Sequence, residues 1–86
     1  MNAEEIQNLF TLNVVLGFKK YCKDKHINES KLMDNKGSDK LHKQTLYDVI
    51  KGKRKSLPII SLCYLAALLN LDSPSKLEMY YLKENL

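Results

Sequence analysis

Residues 56–71 form a run of sixteen positions without a charge, and this run constrains the fold more than any other feature. It includes Pro58, Ser61 and Asn70 among its leucines and isoleucines. A membrane-spanning helix needs about 20 predominantly apolar residues, so the run is too short and too polar to cross a bilayer. A water-exposed chain has to cover it. The natural reading is a helix at about residues 58–69, apolar nearly all round and buried at the centre of a bundle.

On either side, apolar residues recur at helical spacing almost throughout, and no stretch alternates with a period of two. Ile6, Leu9, Phe10, Val14, Leu16, Phe18, Tyr21 and Cys22 supply one broad apolar face. They predict a single helix to about Lys25, or a short helix followed by a longer one near Gly17. Asn28 is suited to capping a short second helix over 29–33, with Leu32 facing the core. The polar stretch 34–39 contains a glycine and reads as a loop. Ser38 or Asp39 then caps a third helix to Lys51, whose inward positions are Leu41, Leu46, Val49 and Ile50. Gly52 follows as the residue that ends a helix in a left-handed conformation. Ser73 and Pro74 make an N-cap and first-turn pair for a fifth helix carrying Leu77, Met79, Tyr80, Tyr81 and Leu82. The expectation is one all-α domain over 1–86, a compact bundle of five helices with short connections.

A chain of 86 residues buries only about 60–65% of its unfolded surface, which leaves little material for a catalytic cleft. There is no Ser/His/Asp constellation, no glycine-rich phosphate loop and no HExxH motif. The only adjacent carboxylates, Glu4 and Glu5, fall in a terminus expected to fray. No enzyme activity and no cofactor are expected. Cys22 and His26 stand four apart on an expected helix and would share a face, half of a metal site, but His42 and Cys63 are isolated and no metal is expected. The two cysteines lie in apolar surroundings and read as buried side chains of a reducing compartment, although the sequence leaves a bridge between them open. The opening residues Met1-Asn2-Ala3-Glu4-Glu5 lack the positive charge of a signal peptide, so a cytoplasmic protein is expected.

The net charge of +4 is mild, but its placement is not. Residues 36–55 hold Lys36, Lys40, Lys43, Lys51, Lys53, Arg54 and Lys55 against Asp39 and Asp48, a local charge of +5. The rest of the chain carries −1. A concentration of one sign on a short segment is what a polyanion-binding surface requires.

The segment Lys43-Gln44-Thr45-Leu46-Tyr47-Asp48-Val49-Ile50-Lys51-Gly52-Lys53-Arg54-Lys55, followed by Leu65-Ala66-Ala67-Leu68-Leu69-Asn70-Leu71, resembles the phage-repressor (Cro-type, xenobiotic-response-element) helix-turn-helix family. The likeness spans about residues 13–72 and lies in the order and spacing of the parts: a reading helix, a glycine turn, a basic loop and an Ala-containing core helix. The chain departs from the family in two places. About three extra residues fall near 35–40, in what is normally a tight turn. Cys22 and Ile50 stand where the family often pairs an Arg with a Glu, an exchange an apolar contact accommodates at little cost.

The resemblance implies a sequence-specific double-stranded DNA-binding regulator, a repressor from a phage, plasmid or integrative element, binding as a homodimer. Carried over position by position, the residues that read base edges are Lys43, Gln44, Tyr47 and Asp48. Phosphates would be held by Lys51, Lys53, Arg54 and Lys55, with Lys40 behind them, and His42 sits near the start of the same helix. The fifth helix, with Leu77, Tyr80, Tyr81 and Leu82, is the expected dimer contact, joined by Ile6, Leu9 and Phe10. A rival reading keeps the fold and makes the chain a protein-interaction module, an antitoxin or anti-repressor. That reading gives more weight to an apolar patch around 77–82 than to the cations.

Overall fold

The computed structural model describes residues 1–35 and 41–84. Among them are five helices: α1 (Ala3–Asp24), α2 (Glu29–Asn35), α3 (Lys43–Ile50), α4 (Ile59–Leu68) and α5 (Pro74–Glu84). The described chain is all-α, as its periodicity implies.

The N-terminal region is one helix of 22 residues rather than two. Its start is closed by a reciprocal cap: Asn2 Oδ1 accepts from the Glu5 amide at 2.8 Å, and Glu5 Oε1 accepts from the Asn2 amide at 3.5 Å. Such a pair satisfies two of the amides a helix start leaves unbonded. Glu5 therefore belongs to an ordered cap, not to the frayed terminus expected from its position.

Val14, Val15, Phe18 and Cys22 form the buried stripe of α1. Against it lie Leu46 and Val49 of α3, Leu62, Leu65 and Ala66 of α4, and Leu77 of α5, with Leu41 and Leu57 closing the core between helices. α1 packs most extensively along α5. That approach requires Gly17, because a Cβ there would stand 2.0 Å from the Leu77 carbonyl oxygen. Asn28 Oδ1 accepts from the Lys31 amide at 3.1 Å and caps α2 as expected, but the residue α2 buries is Met33, at 2%, whereas Leu32 is only partly covered. Asp34 and Asn35 belong to α2 and not to a loop.

Three helices end in the same six-residue hydrogen-bond pattern. After α1 the Ile27 amide donates back to the Cys22 carbonyl, after α4 Leu71 donates to Ala66, and after α3 Lys53 donates to Asp48. Each needs a left-handed residue at the turn: His26 (φ 57°), Asn70 (φ 59°) and Gly52 (φ 79°). Because α1 stops at Asp24, His26 lies in this turn and does not share a helix face with buried Cys22.

Two other expectations fail. The third helix begins at Lys43 with His42 as its N-cap, so Ser38 and Asp39, which lie outside the described residues, do not cap it. Ile50 is 36% exposed while Leu46 and Val49 face inward. α4 is not buried all round either. Ile59 and Ile60 are 60% and 68% exposed, and Cys63, expected in the core, is exposed as well. An uncharged sequence says which residues are apolar but not which side of the helix the rest of the chain covers. No helix among the described residues is long and apolar enough to cross a membrane.

Candidate nucleic-acid interface

α3 is short and two-sided. Leu46 and Val49 anchor it, which turns Lys43, Gln44, Tyr47 and, one turn later, Lys51 outward, with Asp48 half-buried beside them. These side chains recur at spacings of three and four and so share one stripe of the helix. The four residues expected to read bases are thus brought together on one face.

The face is ordered by neighbours. The Lys43 ammonium donates to Ser30 Oγ at 2.7 Å and ties the first turn of α3 to α2. Gln44 Nε2 donates to Asp48 Oδ1 at 3.0 Å, one helical turn away. That bond orients the Gln44 amide and leaves its carbonyl and second N–H for another partner. Two ammonium groups lie near the Tyr47 ring, Lys51 at 5.0 Å and Lys19 at 5.3 Å from its centroid. Both are within range of the attraction between a cation and an aromatic face. Lys19 is itself held by Glu29 at 2.8 Å, an ion pair joining α1 to α2. Lys19 and Ser30 are therefore part of the arrangement, and nothing in their spacing along the chain marks them.

The loop after α3 is shaped by the turn at Gly52. The Lys53 and Arg54 amides both donate to the Asp48 carbonyl, at 2.8 and 3.1 Å. In the matching turns after α1 and α4 the residue beyond the left-handed position is apolar, Ile27 or Leu71, and packs back against the core. Here that residue is Lys53, which is exposed together with Lys51, Arg54 and Lys55. Arg54 Nε donates to the Ser56 carbonyl at 3.3 Å. None of the four cations has a carboxylate partner among the described residues. The loop thus presents four uncompensated positive charges beside the outward face of α3. The buried bond from the Leu57 amide to Thr11 Oγ1, 3.3 Å, fixes the far end of the loop to α1. Lys36 and Lys40 lie outside the described residues.

The expected dimer residues do not form one free surface. Leu77 is fully buried in its own chain against α1, so it is not available to a second copy. The Tyr80 ring meets Tyr21 edge-on at 5.1 Å, and its hydroxyl donates to Asp24 Oδ2 at 2.5 Å. Tyr81 is partly covered, while Leu82 and its neighbour Met79 are 42% and 62% exposed. Ile6 and Leu9 at the start of α1 are 55% and 47% exposed.

Neither cysteine is in a disulfide. Burial, reinforced by the nearby Glu29 carboxylate, pushes the Cys22 thiol up to about 11. Among the described residues no three His, Cys, Asp or Glu side chains are grouped as metal ligands. Comparison of the chain with protein-family models, with curated proteins and with solved structures finds no match.

Proposed function

We propose that this chain binds double-stranded DNA in a sequence-specific manner and acts as a transcriptional regulator, a repressor by preference. One observation carries the reading: the outward stripe of α3 runs without a break into a loop whose four exposed cations have no carboxylate partner. A surface helix that serves only to cover a core gains nothing from such a concentration of unpaired charge, whereas a duplex supplies the phosphates to neutralise it.

The roles follow from side-chain chemistry. Lys51, Lys53, Arg54 and Lys55 hold phosphates and so set register without reading sequence. Lys43 has donors for the N7 and O6 acceptors of guanine, and Gln44 can bond in a bidentate manner to adenine. Asp48 orients Gln44 and can accept from cytosine. Tyr47, exposed on the same stripe, can contact a thymine methyl or a phosphate. The likeness of Lys43 through Lys55 to phage-repressor reading helices supports the same assignment.

The test is binding to genomic DNA fragments across salt concentration. Four phosphate contacts give a slope of about −4 in log K against log salt. Tight, salt-steep binding to a few fragments supports the reading. Feeble binding that makes no distinction between fragments would sink it.

A further inference from the structure

The first turns of α1 and the turn that follows α3 leave a hollow of about 420 Å³ between them. Leu9 and Leu12 of α1 and Val49 of α3 give it an apolar lining, and Leu9 is about half exposed, so the lining is open to solvent. Arg54 and Lys55 of the cationic loop line the same hollow, and neither has a carboxylate partner among the described residues. Arg54 Nε is engaged by the Ser56 carbonyl, which leaves the N–H groups of its two terminal nitrogens for another acceptor. The one acidic lining residue, Glu5, has an oxygen in the cap of α1. The lining therefore combines an apolar surface with a positive excess. DNA binding accounts for the two cations but not for the leucines beside them, because a phosphate gains nothing from an apolar contact.

We propose that this hollow binds a small organic anion, an apolar body of about 10–20 non-hydrogen atoms that carries a carboxylate. Size and charge together select the occupant. The volume falls in the range of small-molecule sites, which pair a mostly apolar wall with a few convergent polar groups. A hydrocarbon would leave the guanidinium without an acceptor, inorganic phosphate would leave the leucines uncovered, and an amine would meet two positive charges. A carboxylate takes the two terminal nitrogens of an arginine as a matched pair of donors.

The site stands by itself, but its regulatory meaning rests on the DNA-binding reading. Arg54 and Lys55 cannot serve the bound anion and two phosphates at once. Ligand and duplex therefore oppose each other, and each lowers the affinity of the other by the same factor. With two of the four loop cations occupied, the slope of log K against log salt for DNA becomes shallower by about two.

The test is a titration of the full chain with 2-naphthoate, followed by amide NMR shifts, with 2-naphthylmethanol as the uncharged analogue. For a probe of about 13 non-hydrogen atoms the expected dissociation constant is on the order of 0.1–1 mM. The shifts should centre on Leu9, Leu12, Val49 and Arg54, and the alcohol should bind at least tenfold more weakly. Arg54→Ala/Lys55→Ala should remove the preference for the anion. Leu9→Gln, with its helical circular dichroism intact, should weaken naphthoate at least threefold and leave DNA affinity without the probe unchanged. Shifts centred elsewhere, equal binding of acid and alcohol, or no saturable binding up to 10 mM overturns the proposal while leaving the DNA-binding reading in place. Naphthoate bound in this hollow by a chain that binds no DNA supports the site and removes its regulatory meaning.

Discussion

Gly17 of α1 lies against the backbone of Leu77 so closely that a methyl group would stand 2.0 Å from the Leu77 carbonyl oxygen. The obstacle is backbone, so it cannot rotate away, and α1 and α5 would have to separate along their whole contact. Gly17→Ala gains helix propensity but loses that packing. The expected net loss is at least about 2 kcal/mol, a drop in Tm of about 10 °C for a domain of this size. Thermal melts of the two proteins would show it, and an unchanged Tm would mean the two helices are not in this contact.

Thr11 is fully buried, and its hydroxyl accepts from the Leu57 amide at the end of the basic loop. Thr11→Val keeps the shape and removes the acceptor. The stranded amide should cost about 1–3 kcal/mol in denaturant titration, and Thr11→Ser should recover most of it.

The two thiols should separate cleanly. Cys63 is exposed, whereas Cys22 is 2% exposed and its thiol is pushed up to about 11. At pH 8 and low micromolar protein, a maleimide should label one thiol quickly and the second only after unfolding. Two fast thiols would contradict the placement of Cys22 in the core.

Tyr80 joins α5 to the end of α1 through Asp24. The Tyr80 hydroxyl bond, assisted by Lys20 and Lys23, holds the Asp24 carboxyl below its ordinary value of 3.8. A carboxyl lowered on folding stabilises the fold above its unfolded value, and that contribution is lost as pH falls through the folded one. The wild type should therefore exceed Tyr80→Phe in Tm at neutral pH, with the gap narrowing below about pH 4. A gap that persists unchanged to pH 2 would show that the hydroxyl acts other than through the Asp24 charge.

Some of these relationships were legible in the sequence and some were not. The apolar spacing along α1, the cap at Asn28 and the turn at Gly52 are local signals, and each is found where the residues imply. The close approach of Gly17 to Leu77 joins residues sixty positions apart, and no local pattern announces it. The start of α3 at Lys43 was obscured because Ser38 and Asp39 are better capping residues than His42. The open face of α4 was hidden by composition, since Ile59 and Ile60 look like core until the neighbours that fail to cover them are in place. At the candidate site, the stripe of Lys43, Gln44, Tyr47 and Asp48 follows from helical spacing. Lys19 and Ser30 reach it from α1 and α2 through contacts that only the tertiary fold creates.

We propose that the loop cations serve a duplex. The most direct measurement is the salt dependence of binding to a selected DNA fragment, for the wild type and for the triple variant Lys53→Ala/Arg54→Ala/Lys55→Ala, with circular dichroism confirming that both are folded. Each phosphate contact removed should lower the slope of log K against log salt by about one, so the variant's slope should be shallower by about three. Equal slopes, or a folded wild type that binds no fragment above background, would contradict a phosphate-binding role for these cations.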